Sequence, residues 1–307
     1  MTGIAWQPDR PCPVNVKHVK TVADISNSTS QTDRVVPLTG NARRIGLIGV
    51  GAIGHEVMQI FRTERASVDI VALARRAIAL ADIEQCVYNN LDLIAARPDI
   101  VIEAAGHSAV AEHVVPVLRA GIPVVLASIG ALADDVLRQD VMQAAQAGKT
   151  NLIFPSGAIG ALDYIRAVSH LTGLRIRYCS RKPVAAWKDE LMSRGLTLDT
   201  IGSEVVLFEG AAREAALLFP QNLNVAMSLA LAGPGIEGVE VRVVADPNVT
   251  ANTHEIEVES AAGRAALIFN NLPSAENPKT SALTALSIVH AVREHFAIRG
   301  FSADEAE

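Results

Sequence analysis

The sequence predicts an α/β protein: a doubly wound parallel sheet followed by a second α+β domain whose sheet is mostly antiparallel. Three observations carry this. Short apolar runs alternate with helical stretches up to about residue 155, the rhythm changes after Gly160, and the 307 residues are about twice a typical domain. Half of the residues are apolar and a fifth are charged, enough to build large buried cores.

In order, Arg44 to Val50 is an apolar run that stops at glycines, as a buried parallel strand does. Ile53 to Thr63 carries Ile53, Val57, Ile60 and Phe61 at helical spacing. Val68–Leu73, Ile100–Ala104, Pro123–Ala127 and Asn151–Phe154 read as further strands, with helices between them at Ala109–Ala120 and Leu132–Ala147. Strands alternating with helices give a parallel sheet covered on both faces, wound by right-handed crossovers. Beyond Gly160 come a helix (Ala161–Leu171), a strand (Leu174–Ser180), helices at Ala211–Phe219 and Leu223–Ala232, and neighbouring strands at Val239–Ala245, Thr253–Ser260 and Arg264–Phe269. A long helix closes the chain from Thr280 to Phe296. The expected organisation is a leader at 1–41, a first domain at 42–155, a second at 156–280, and a terminal segment at 281–307 that packs back on the first domain.

Composition excludes several classes of function. A net charge of −6 argues against nucleic acid or an anionic membrane as the main partner. No apolar run reaches the roughly 18–20 residues of a membrane span. Cys12, Cys86 and Cys179 are too widely spaced for a metal pair and do not form a disulfide framework, so no metal is expected and a reducing cytoplasm fits best. The leader has no apolar core of the signal-peptide kind.

The chemistry starts at Gly49-Val50-Gly51-Ala52-Ile53-Gly54. A Gly-x-Gly-x-x-Gly turn that follows a buried strand and opens a helix is the dinucleotide-binding context of a Rossmann-type domain. Gly49 permits the turn, Gly51 lets backbone approach a pyrophosphate, and Gly54 lets the helix pack on the strand. Ala52 and Ile53 lie at the helix N-terminus, whose N–H groups favour phosphate. An NAD-specific site places a carboxylate about 20 residues further on. This chain has Leu73-Ala74-Arg75-Arg76 there. Arg75 and Arg76 suit a 2′-phosphate or are solvated surface charges, so the cofactor is read as NAD or NADP. At the end of a later strand Gly106 and His107, with Ser128, are near-site candidates, although lone residues there are more often loop structure.

Five stretches spread over both halves carry a resemblance. GLIGVGAIG from Gly46, LIFPSGAIGALD from Leu152, FEGAAREAALLFPQNLNVA from Phe208, VADPNVTANTHEIEV from Val244 and NPKTSALTALS from Asn277 resemble the L-aspartate dehydrogenase family in order and spacing. The likeness spans Arg43 to about Phe296 and leaves the leader outside. It implies NAD(P)-dependent oxidative deamination of L-aspartate to iminoaspartate by a homodimer. It puts the catalytic histidine on His254 and the nucleotide-contacting alanine and asparagine on Ala158 and Asn224.

Read without the family, alternation along Thr253–Ser260 sets His254, Ile256 and Val258 on one face and Glu255, Glu257 and Glu259 on the other. That makes His254 either a core histidine or a catalyst facing a closed cleft, and the resemblance favours the catalyst. Lys279, just ahead of the last helix, either holds a substrate carboxylate or belongs to a capping turn. The alternatives to aspartate are another amino acid or a small hydroxy substrate, or a non-catalytic NAD(P)-sensing module. A semialdehyde substrate would need an activated cysteine, which neither Cys86 nor Cys179 resembles.

Overall fold

Strands that are apolar on both faces must be covered on both faces, and the first half of the chain is built that way. The computed structural model describes residues 42–63, 67–75, 83–220, 223–274, 277 and 280–303, with side chains described to residue 297. The expected leader, together with Arg76 and Lys279, lies outside the described residues.

Strands β1 (Arg43–Ile48), β2 (Val68–Leu73), β3 (Gln85–Val87), β4 (Ile100–Glu103), β5 (Val124–Leu126) and β6 (Leu152–Ile153) form a six-stranded sheet of order β3-β2-β1-β4-β5-β6. Every pairing in it is parallel. The helices of this half are α1 (Ala52–Thr63), α2 (Asn90–Ala95), α3 and α4 (Asp135–Ala147). Helix α3 runs through His107–Ala109, a π-helical turn at Val110–Val114, and Val115–Arg119. Alternation sends Ile45, Leu47, Ile100, Ile102 and Val125 into a core with Val57 and Phe61 of α1. Val101, Val124 and Leu126 go to the opposite core, with Val117 and Leu118 of α3 and Val141 and Ala144 of α4. Helix α4 starts at Asp135 rather than Leu132, because the Asp134 carboxylate accepts from the N–H groups of Val136 and Leu137 and caps it there. The residues before it, Ile129–Ala133, form a buried 3₁₀ turn.

In the second half, α5 (Leu162–Val168), β7 (Arg175–Pro183), α6 (Lys188–Ser193), β8 (Val205–Ala211), α7 (Ala212–Leu218), α8 (Asn224–Ala232), β9 (Val239–Asp246), β10 (Asn252–Ser260) and β11 (Gly263–Asn271) precede the closing helix α9 (Ala282–Ala303). The five strands form a sheet of order β11-β10-β7-β9-β8. Its pairings are antiparallel except β7 with β9, so the expected mostly antiparallel sheet holds with one parallel seam. The inner face (Tyr178, Val241, Val243, Ile256, Val258) packs against Ile165 of α5, Ala215 of α7, Leu229 of α8 and the fully buried Trp187. Strand β7 continues three residues past the expected end at Ser180, and β3, α2, α6 and β8 are additions to the expected list.

The closing helix returns to the first sheet, where Ile288, Val289, Val292 and Phe296 join the α1 core and the Arg43 guanidinium lies 5.0 Å from the Phe296 ring centre. Among the described residues no helix is long and apolar enough to cross a membrane.

Candidate active site

The strand order of the first sheet reverses between β1 and β4, and the loops leaving these two strands meet there. Gly49 has φ +93°, and a Cβ on it would lie 2.6 Å from the Ala105 Cα. A Cβ on Gly54 would lie 2.3 Å from the Gly49 carbonyl oxygen. Both positions are closed to any larger residue. Gly51 is the opposite case: it is exposed, and a Cβ there would meet nothing within 4 Å. The first turn of α1 carries no acidic residue. Open backbone at a helix N-terminus with no acidic residue in its first turn is what a pyrophosphate requires, so the turn fits a dinucleotide.

Glu103 organises the floor beside this turn. Its side chain is fully buried at the end of β4, where Oε1 accepts from the N–H groups of Ala105 and Gly106 at 2.8 and 2.9 Å and from the Ser128 hydroxyl at 3.0 Å. Oε2 accepts from the Ser128 N–H at 3.0 Å. Burial pushes this carboxyl above its ordinary range, and the hydrogen bonds from Gly106, Ala105 and Ser128 act against that shift. One side chain therefore ties the loop after β4 to the loop after β5. Asn224, the first residue of α8, accepts from the Gly130 N–H at 2.8 Å and so fastens the second half of the chain to the same floor. Any Cβ on Gly130 would collide with His107 and Asn224.

Above the floor is a cavity of about 570 Å³. Ala52 and Ile53 of α1, the loop residues Ala104–Ser108 and Ala127–Ile129, Ala158, Asn224, and Thr280, Ser281 and Thr284 around the start of α9 all line it. The second sheet contributes Lys182, Asn252 and His254. His254 stands opposite Ser180 in the β10–β7 register and opposite Phe269 in β11. It is 4% exposed, and its Nδ1 is 2.8 Å from the Tyr178 hydroxyl. Burial, and then the charge of Lys182, hold the imidazole down to a pKa of about 3. Burial also raises the Tyr178 hydroxyl above its ordinary value, so it remains a protonated partner.

The structure gathers many of the sequence candidates around one space. Ala52, Ile53, Gly106, His107, Ser128, Ala158, Asn224 and His254 line the cavity, while Gly49, Gly51 and Gly54 form the turn beside it. Arg75 is exposed at the end of β2 and does not line the cavity. Sequence reasoning overlooked Glu103, Tyr178 and Lys182 as site residues. A lone acid ending the run Ile100-Val101-Ile102 is a usable signal for Glu103. For Lys182 the signal is alternation with Tyr178 and Ser180, visible once β7 is carried beyond Ser180.

Comparison with known proteins agrees with this geometry. Residues 49–155 match the homoserine dehydrogenase NAD-binding domain family, and residues 163–295 match the aspartate dehydrogenase C-terminal family. L-aspartate dehydrogenase 2 of Bordetella bronchiseptica is 45% identical over 259 residues, covering 83% of this chain and 97% of the relative. The chain belongs to the L-aspartate dehydrogenase family. The relative from Ralstonia nicotianae, also named L-aspartate dehydrogenase, is 42% identical over 81% of this chain and 96% of its own length. The crystal structure of aspartate dehydrogenase from Thermotoga maritima superposes with a TM-score of 0.69 at 27% identity, covering 83% of this chain and 97% of that one. Membership makes the protein an NAD(P)-dependent amino-acid dehydrogenase with NAD or NADP as cofactor.

Proposed function

We propose that the chain oxidises L-aspartate to iminoaspartate, which hydrolyses to oxaloacetate and ammonia, with His254 as the acid/base. The observation that carries this reading is His254 itself, a buried imidazole that lines the cavity and is held at Nδ1 by Tyr178. When bound, NAD(P) supplies the acceptor for the α-hydrogen, which leaves as hydride.

The remaining work falls to the chain. The Gly49–Gly54 turn, Ala158 and Asn224 bind the dinucleotide at the switch point, and Arg75 and Arg76 hold its 2′ end. With Nδ1 engaged, Nε2 is the nitrogen left for substrate. To accept a proton there, His254 must carry its own proton on Nδ1 and donate it to the Tyr178 oxygen; the imidazolium so formed gives the Nε2 proton back with that hydrogen bond unchanged. The proton acted on belongs to the amine or to the water that attacks the imine. Lys279 is the candidate for holding a substrate carboxylate that the family pattern just ahead of the last helix offers. On this reading 42–155 is the nucleotide domain, 156–280 the catalytic domain, and 281–307 the segment that ties them. The protein acts in the cytoplasm as a homodimer, to be checked by light scattering.

Initial-rate kinetics with L-aspartate, following NADH or NADPH formation, test the assignment. His254→Ala is expected to lower kcat by about 10²- to 10⁴-fold with an unchanged cofactor Kd. Near-normal turnover in that variant would remove His254 from the chemistry. Cofactor binding without turnover of any dicarboxylic amino acid would favour the sensing module. Replacing Arg75 and Arg76 together by alanine should raise the KM for NADP by roughly 10-fold and leave that for NAD unchanged.

A further inference from the structure

The cavity has an uneven charge inventory. Among its described lining residues Lys182 is the only lysine or arginine, and no aspartate or glutamate is present. Lys182 is 4% exposed, with its ammonium 5.3 Å from the centre of the Trp187 ring. The neighbouring Arg181 points to the other face of the sheet and pairs with Glu204, Asp246 and Glu255. Two adjacent cations on one strand thus have opposite surroundings. The outer one is surrounded by carboxylates and the inner one faces a cavity whose described lining has none.

We propose that Lys182 binds a carboxylate of the substrate and sets the preference of this site for a dicarboxylic amino acid. This rests on the amino-acid dehydrogenase reading of the same cavity. The register supports the placement. Ser180 stands opposite His254, and Lys182 is the next residue of β7 on that face, beside Asn252, which also lines the cavity. An anion held by Lys182 therefore lies next to the imidazole. Lys182 is also close enough for its charge to lower the proton affinity of His254. A carboxylate seated on the lysine offsets that charge, so a substrate that fills the site makes His254 a stronger base. A charge-assisted hydrogen bond in a site shielded from water is the interaction that discriminates an anionic substrate from a neutral one of the same shape.

The test compares the full-length wild type with Lys182→Met, Lys182→Gln and Lys182→Arg. Succinate, a dicarboxylate with no amine to oxidise, is titrated by thermal shift against the NADH-bound protein, and KM and kcat are measured for L-aspartate and L-asparagine. Succinate is expected to raise the Tm of the wild type and not that of Lys182→Met. The same change should raise the KM for aspartate by about 10- to 100-fold with a much smaller change in kcat, and Lys182→Arg should recover part of it. If the lysine takes the side-chain carboxylate, the preference for aspartate over asparagine collapses. If it takes the α-carboxylate, both substrates lose equally. Either pattern supports the assignment. An unchanged succinate shift together with an unchanged aspartate KM, in a Lys182→Met protein that melts like the wild type without ligand, overturns it. Lys182→Gln decides in the same way if the methionine variant does not fold. A wild type that binds succinate through Lys182 but oxidises no aspartate keeps the carboxylate site and removes the aspartate reading, so the two fail separately.

Discussion

The two faces of the second sheet treat charge in opposite ways. On the outer face Arg177 pairs with Glu240 and Glu257, Arg181 with Glu204, Asp246 and Glu255, and Arg242 with Glu204 and Glu209. Every one of these cations is met by carboxylates from neighbouring strands. On the inner face an apolar layer surrounds Tyr178, His254 and Lys182, and the polar groups there open onto the cavity. The lesson is that position decides what a charge can reach. A cation turned to the outer face is matched by its own sheet and contributes to stability, whereas one that lines a cavity is within reach of a molecule that enters.

The comparison can be tested from its most sensitive point outward. Arg181→Met leaves the Glu204, Asp246 and Glu255 carboxylates facing one another and should cost about 2–3 kcal/mol in urea unfolding. Aspartate KM should be unchanged, and a KM as disturbed as that of Lys182→Met would erase the distinction between the faces.

A second effect belongs to the inner face and depends on pH. The groups facing His254 are Tyr178, Ser180 and Lys182 of β7 and Phe269 of β11. Its folded pKa of about 3 lies below the ordinary imidazole value of 6.5, so in that window the unfolded chain binds the extra proton. Stability therefore falls as pH drops from 6.5 toward 3, by at most ~1.4 kcal/mol per pH unit from this group. His254→Asn should flatten that part of the pH–stability curve, and an unaltered slope would show that the imidazole is solvated. The least effect is expected at Arg177→Gln, whose partners Glu240 and Glu257 are exposed: below about 1 kcal/mol, and less in high salt.

The sequence makes the first sheet legible because burial on both faces leaves continuous apolar runs such as Ile100-Val101-Ile102. The short edge strand Gln85–Val87 has too few residues to show a period. Strand β8 is half-buried through most of its length and mixes Glu209 and Gly210 into its end, which blurs alternation. His254 is legible from alternation together with the family pattern. Lys182 is hidden because Arg181-Lys182-Pro183 looks like a solvated stop after Ser180, although the pleat continues and turns one cation out and the next in. Glu103 belongs to no motif, and its role appears only when the chain brings Ser128 beside it, 25 residues later.

Glu103 also constrains how the site can move. Two loops that share one acceptor lose their separate degrees of freedom, because neither can shift without stripping a buried oxygen of its donors. The floor behaves mechanically as a single plate, pinned to α8 at Gly130 and Asn224 and, further along, by the Arg213 guanidinium on the Ala133 carbonyl at 2.9 Å. Accommodation of a bound molecule then falls to the opposite wall, where the second sheet presents Lys182 and His254.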